Sequence, residues 1–318
     1  MIACCVLDDY QDCARTFAEW ERLVPKVSVR FCHDYIADET ALAAAIGNAA
    51  ILVAMRERSP ISRSLMARLP NLKLIVTSGM RNAAIDLGAA AERGITVCGT
   101  ASHSTPPAEL TWALIHGLTR HVAEEAGALR QNGPWQSTVG RDLHGARLGL
   151  VGFGKIGQQV AKVAQAFGMN VCAWSQNLTA AVTDPAGVAL APSLHALMET
   201  SDIVSLHLVL SERTKGLIDA AALRAMKPSA LLINTARAGL VAEAALIAAL
   251  EQGWIAGAGS DVHFIEPLPP ESPWRRMPRF LGLPHLGYVT ERNYRTFFGE
   301  AVEDIEAFLA GAPVRRLS

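Results

Sequence analysis

Residues 146–175, ARLGLVGFGKIGQQVAKVAQAFGMNVCAWS, restrict the folds open to this chain more than any other stretch. The apolar run at 148–151 has the length of a buried strand. It breaks at Gly152, Gly154 and Gly157 into an amphipathic segment carrying Ile156, Val160, Val163, Ala164 and Phe167 at helical spacing. A second strand is expected at 170–174. In such a β-α-β unit Gly152 permits the sharp turn, Gly154 a close approach of backbone to a diphosphate, and Gly157 close packing of helix on strand. The turn, with Lys155 and Ile156 opening the helix, offers free N–H groups and the positive end of a helix dipole, the physical basis of dinucleotide binding.

With 318 residues the chain exceeds one hydrophobic core, so about two domains are expected. A formal net charge of -1 argues against a nucleic-acid partner and against attraction to an anionic membrane. The apolar start MIACCVL ends at Asp8 and Asp9, too short for a signal peptide or a spanning helix, which points to a cytoplasmic protein. Cysteines at 4, 5, 13, 32, 98 and 172 form no C-x-x-C pair and have no histidine at zinc spacing. Reduced, mostly buried thiols and no metal site are therefore expected. His207 and His263 read as packed or wall residues.

Residues 1–98 alternate apolar runs (2–7, 27–31, 51–53, 72–77, 95–97) with helical patterns (11–21, 39–47, 62–68, 85–93), which predicts a parallel sheet covered on both faces. This first unit lacks a glycine fingerprint. Its ligand surface is expected at Ser78, Gly79, Met80 and Arg81, beyond a strand's carboxyl end. Pro106 and Pro107 then open one long helical pattern at 108–130. An arm at 131–144 follows, whose Trp135 is either folded back or buried in a partner subunit. After the glycine unit, strands are expected at 203–210, 230–235, 256–262 and 280–283, with helices at 220–226, 243–252 and 292–310. The fold class is thus α/β, two doubly wound parallel-sheet domains, divided as 1–103 with 291–318 and 104–290.

Three ionisable residues fall just past expected strand ends of the second domain: Arg237 after LLINTA, Glu266 after GSDVHFI and His285 in LGLPHLG. Together they supply what hydride exchange between a nicotinamide and a 2-hydroxy or 2-oxo acid requires. A guanidinium holds the carboxylate by two points and polarises the carbonyl. An imidazole, titrating near neutrality, exchanges the alcohol proton. A carboxylate on the far ring nitrogen orients the ring and favours its protonated form. Arg237, His285 and Glu266 fill these roles in that order.

The segments VGFGKIG, SDIVSLHLVLSERTKGLI, INTARAGLVAEAAL, DVHFIEPLP and LPHLGYVT, in this order and with 29 and 19 residues separating the three ionisable positions, resemble the D-isomer-specific 2-hydroxyacid dehydrogenase family. Its members include phosphoglycerate, glyoxylate and hydroxypyruvate enzymes. The resemblance covers nearly the whole chain. It implies a Rossmann nucleotide-binding domain inserted in a flavodoxin-like catalytic domain, a homodimer built largely through the inserted domain, and a small D-2-hydroxy acid or 2-oxo acid as substrate. It also implies that Thr235 and Arg237 lie along the nicotinamide, that Asp261 accepts from its carboxamide, and that Val209, Leu210 and Thr214 border the adenine half. Ser78 to Arg81 would turn backbone N–H groups to the substrate carboxylate. Two departures stand out: Arg81 replaces a common second glycine, and Ala238 follows Arg237 where glycine is usual.

An acid some 20 residues past the glycine turn normally accepts from the ribose hydroxyls of NAD. Here Ser175, Gln176 and Asn177 occupy that position. Without a carboxylate to repel a 2′-phosphate or an arginine to bind one, the reading is use of either nucleotide, NAD marginally ahead of NADP. Arg81, Arg275 and Arg276 could receive a second anionic group, and Trp274 or Tyr288 either caps the pocket or covers core. The rival class is a catalytically silent NAD(H)-sensing interaction protein on the same fold, whose mark would be loss of Arg237, Glu266 or His285.

Overall fold

The computed structural model describes residues 1–317. The chain divides into two compact units, Met1–His103 with Val289–Ser318, and Ser104–Tyr288. Among the described residues no helix is long and apolar enough to cross a membrane.

The first unit is a five-stranded, all-parallel sheet of β1 (Ile2–Val6), β2 (Val27–Phe31), β3 (Ile51–Ala54), β4 (Leu74–Thr77) and β5 (Thr96–Gly99), in the order β2-β1-β3-β4-β5. Its central strands ILVA and LIVT are buried at every position, as strands covered on both faces must be, whereas edge strand β2 alternates buried and open residues. Helices α1 (Glu39–Ile46), α2 (Arg63–Ala67) and α3 (Leu87–Glu92) start where Asp38, Ser62 and Asp86 accept backbone N–H groups of the first turn.

The helix expected at 11–21 is not continuous. Asp9 takes the N–H groups of Cys13 and Ala14 at 3.0 Å each, Asp12 adopts φ 48°, and two 3₁₀ turns form instead, Ala14–Phe17 and Trp20–Leu23. Trp20 anchors them by donating Nε1–H to the Ala14 carbonyl at 2.9 Å.

The second unit opens on α4 (Thr105–Thr119) and α5 (Val122–Arg130), where one helix at 108–130 was expected. The break falls at His121, in left-handed backbone at φ 52°, and the Thr119 carbonyl turns out to accept from Arg141 N at 2.8 Å. Seven parallel strands follow: β6 (Arg147–Val151), β7 (Asn170–Trp174), β8 (Ala189–Leu190), β9 (Ile203–Leu206), β10 (Leu231–Asn234), β11 (Gly257–Ser260) and β12 (Phe280–Gly282). They lie in the order β12-β11-β10-β9-β6-β7-β8, so chain direction across the sheet reverses beside β6. The intervening helices are α6 (Lys155–Ala166), α7 (Ala180–Thr183), α8 (Leu194–Thr200), α9 (Ala220–Ala225) and α10 (Glu243–Glu251). Strand β9 ends at Leu206, four residues short of the expected 210, because the chain leaves the sheet after His207 N bonds to Val151 O.

The last helix, α11 (Glu291–Leu309), returns to the first unit and buries Phe297, Phe298, Val302 and Ile305 there. Arg315 then clips the tail to it: Nε donates to Asp304 Oδ1 at 3.0 Å, while Gly99 N bonds to Arg315 O and Leu317 N to Val97 O. Asp304 is 0% exposed, and this burial, opposed by Arg315, pushes its carboxyl up to about 7. A carboxyl raised in the native state binds protons more tightly than in the unfolded chain, so its contribution to stability falls as pH rises from about 4 to about 7. Over that window the melting temperature of the wild type is expected to decline relative to Asp304→Asn. Parallel melting curves for the two proteins would show the assignment wrong.

Candidate active site

Three loops of the second unit leave neighbouring strands β10, β11 and β12 at their carboxyl ends, spaced by roughly 5 Å per strand. They carry Arg237, then Asp261 and Glu266, then His285. The loops gather at one edge because β10, β11 and β12 are parallel neighbours, so all three end on the same side of the sheet.

His285 and Glu266 meet directly, with Nδ1 to Oε2 at 2.6 Å. The second carboxylate oxygen of Glu266 accepts from His263 N at 2.8 Å, which fixes the acid. Burial alone would raise the Glu266 carboxyl, but the His285 hydrogen bond and charge more than offset it, and the group lies below the usual range. His285 sits in left-handed backbone, φ 55°, and Tyr288 packs edge-on against its ring at 5.4 Å. The strained loop is pinned by Asp261, whose two oxygens accept from Leu286 N at 2.6 Å and Gly287 N at 2.7 Å. Asp261 is 1% exposed, and burial pushes its carboxyl up to about 6 against those two N–H bonds. Asp261 thus holds the His285 loop in place.

Arg237 stands at the adjoining strand end. Its carbonyl accepts from Asn234 Nδ2 at 3.0 Å, Asn234 Oδ1 accepts from Ala236 N at 3.0 Å, and Arg237 Nη1 donates to Ala236 O at 2.8 Å. Thr235 ties β10 to α4 through a 2.8 Å hydroxyl contact with Thr111. His263 points its Nε2 at Leu283 O, and Trp274 is core, donating Nε1–H to Glu243 at 2.9 Å. Arg275 is folded onto the carbonyls of Leu268 and Pro269.

On the other half of the same sheet Gly152 has φ 106°, and a Cβ there would lie 2.7 Å from the His207 backbone. A Cβ at Gly157 would lie 2.4 Å from Gly152 O, whereas Gly154, at the N-terminus of α6, faces open space. Gly152 and Gly157 thus let strand, turn and helix pack closely, and Gly154 leaves the N-terminus of α6 open, with Lys155 and Ile156 in its first turn. His207, beneath it, shares a 2.9 Å contact with Ser205, and burial lowers its pKa to about 4, so it is neutral. Ser175 is half-buried past β7, with Gln176 exposed beside it. Val209 and Leu210 are exposed, and Thr214 Oγ1 closes their loop onto Val209 O at 2.7 Å.

In the first unit Ser78 N is taken by Ala54 O and Gly79 N by Thr100 Oγ1, which narrows the donors left for a ligand to those of Met80 and Arg81. Two arginines absent from the sequence expectations stand at the same sheet edge. Arg56 contacts Ser78 O at 3.3 Å, and Arg58 bonds Asp8 O and the Tyr294 hydroxyl. Their signal was the R-E-R pattern directly after a buried strand. Asp9, Asp12 and His33 bring ligand atoms within 4.8 Å of one another, although both Asp9 oxygens already accept backbone N–H groups.

The sequence model described as D-isomer specific 2-hydroxyacid dehydrogenase, NAD binding domain, matches residues 112–287. Glycerate dehydrogenase of Methylorubrum extorquens is 33% identical over 274 residues, covering 82% of this chain and 83% of that protein. D-3-phosphoglycerate dehydrogenase of Methanocaldococcus jannaschii is 34% identical over 269 residues, 84% of this chain and 51% of that protein. The chain spans about half the length of the curated phosphoglycerate relatives it matches. A crystal structure of phosphoglycerate oxidoreductase from Vibrio cholerae superposes with a TM-score of 0.93 at 34% identity, over 98% of this chain and 100% of that one. Sequence, sheet order and relatives agree that this chain belongs to the D-isomer specific 2-hydroxyacid dehydrogenase family.

Proposed function

We propose that the chain is an NAD-dependent oxidoreductase that exchanges hydride between the nicotinamide and a small D-2-hydroxy acid or its 2-oxo form. The 2.6 Å pair of Glu266 and His285, on the strand edge next to Arg237, carries this reading. The residues present fit the nucleotide: Gly154 faces open space and N-caps a 12-residue helix whose dipole favours a diphosphate. The bound nucleotide supplies hydride. Arg237 holds the substrate carboxylate and polarises the carbonyl, His285 Nε2 gives or takes the proton, and Glu266 orients the ring through Nδ1 and stabilises its charged form. Ser78, Gly79, Met80 and Arg81 keep the carboxylate-binding role implied by family resemblance, with Met80 and Arg81 as the N–H donors. Ser175, Gln176 and Asn177 offer no carboxylate to exclude a 2′-phosphate, which supports NAD first and NADP second.

Initial rates with glyoxylate, hydroxypyruvate, pyruvate, longer 2-oxo acids and 3-phosphohydroxypyruvate, each with NADH and NADPH, test both points. At least one 2-oxo acid is expected to turn over with either nucleotide, with kcat/KM for NADH at or somewhat above that for NADPH; a ratio of NADPH over NADH above about a hundred, roughly 2.7 kcal/mol, would reverse the ordering. No turnover of any of them would end the proposal.

The arm after α5 supports a homodimer. Trp135 is 81% exposed and Val139 90%, and α5 just before them also exposes Val122 and Leu129, large apolar groups that a partner subunit would cover. Trp135 is therefore not folded back, and sedimentation is expected to report twice the 34.0 kDa chain mass. A Trp135→Glu, Val139→Glu variant that sediments like the wild type would argue against this surface.

A further inference from the structure

One cluster in the first unit has no part in the reading above. Cys5 on β1 and Cys32, the residue after β2, bring their sulfurs to 3.4 Å. The parallel register sets Cys5 beside Arg30, so Cys32, two residues on, projects from the same face of the sheet, where α1 packs through Leu42 and Ile46. Arg30 Nη1 stands 2.9 Å from Cys32 Sγ, and its Nη2 is anchored on the Ala45 and Ile46 carbonyls at the end of α1. The two thiols differ in setting. Cys5 is fully buried, and burial pushes its thiol far up. Cys32 is half-buried at the open edge of the sheet, with a guanidinium donor aimed at its sulfur. A cysteine that only fills core needs neither access nor a cation.

We propose that Cys5 and Cys32 are a built dithiol that reduces a hydroperoxide and closes to an intramolecular disulfide. The Cys32 thiol gives its proton to water as its sulfur attacks the terminal peroxide oxygen: an S–O bond forms, the O–O bond breaks, and the leaving alkoxide or hydroxide takes a proton back from water. Cys32 is then a sulfenic acid. The Cys5 sulfur next attacks the Cys32 sulfur, the S–O bond breaks, and hydroxide departs with the Cys5 proton as water. Two thiols are oxidised by two electrons in all, and one hydroperoxide is reduced to an alcohol and water. Closure requires the sulfurs to move from 3.4 Å to roughly 2.05 Å. Strand β2 can move that far because it is an edge strand with β1 as its one sheet neighbour.

The test treats the full chain with hydrogen peroxide at neutral pH, removes the peroxide, unfolds the chain in guanidinium chloride with N-ethylmaleimide so that every remaining thiol is blocked, and digests it without reductant. Of the six cysteines, two are expected to escape alkylation, in one cross-linked species containing positions 5 and 32 and lighter by about 2 Da than the reduced peptides. Cys32→Ser is expected to keep its remaining thiols at the same dose, and Cys5→Ser to leave Cys32 as a sulfenic acid that dimedone captures. The thiol count on the wild type decides the matter even where Cys5→Ser fails to fold. Peroxide that oxidises Cys13 while Cys5 and Cys32 both stay alkylatable would overturn the proposal, as would Cys32 advancing to sulfinic acid beside a free Cys5.

Discussion

His285→Ala is expected to lower kcat by about 10²- to 10⁴-fold, the range for losing a positioned general acid and base, while the Kd for NADH stays within about threefold of wild type. The separation follows from how the loop is held. Asp261 grips it through Leu286 N and Gly287 N, so the backbone at position 285 does not depend on the imidazole for its course. The glycine turn lies on the far half of the sheet, beyond β9, and feels the change little. With Nδ1 committed to Glu266 at 2.6 Å, only Nε2 is left to exchange a proton with substrate, and alanine removes it. Steady-state rates and fluorescence titration of NADH on the same preparation check the two halves. A variant that reduces 2-oxo acids at the wild-type rate would remove His285 from the chemistry.

The parts of this molecule that sequence made legible are those where one residue type meets one physical demand. Strands β3 and β4 were readable because a parallel strand buried on both faces must be apolar throughout. The glycine turn was readable because Gly152 and Gly157 stand where any Cβ collides with backbone. What stayed hidden depends on partners distant in the chain. Residues 180–200 form two short helices and a two-residue strand, each too short for its apolar positions to establish a period. The break at His121 is set by Arg141 capturing the Thr119 carbonyl, and the 3₁₀ turns after Asp12 by Asp9 capturing two N–H groups. In the candidate site, position past a strand end and the needs of the chemistry pointed to Arg237, Glu266 and His285 and to the Glu266–His285 pair, but not to the backbone groups that hold their loops. Asp261 is the example: the sequence marks an acid after a strand, and only the fold brings the N–H groups of Leu286 and Gly287 onto it.

Arg237→Ala is expected to lower kcat/KM for the preferred 2-oxo acid by about 10³-fold or more, roughly 4 kcal/mol, with KM raised and kcat lowered together. The local frame survives the change, because Asn234, nearly buried, holds both Ala236 N and the Arg237 carbonyl through its own amide. What is lost is a planar fork able to hold a carboxylate at two points while placing positive charge beside the carbonyl that gains electrons. Arg237→Lys retains the charge but not the fork, so it is expected to restore rate less than tenfold over alanine. The contrast with His285 sharpens the test. An acid-base group acts mainly after substrate is bound and so appears in kcat, whereas a clamp that also polarises the carbonyl appears in both parameters. If Arg237→Ala changed kcat alone, the guanidinium would act on the transition state without holding the ground-state carboxylate. If it changed KM alone, it would bind without polarising, and the carbonyl would need another electrophile from this chain.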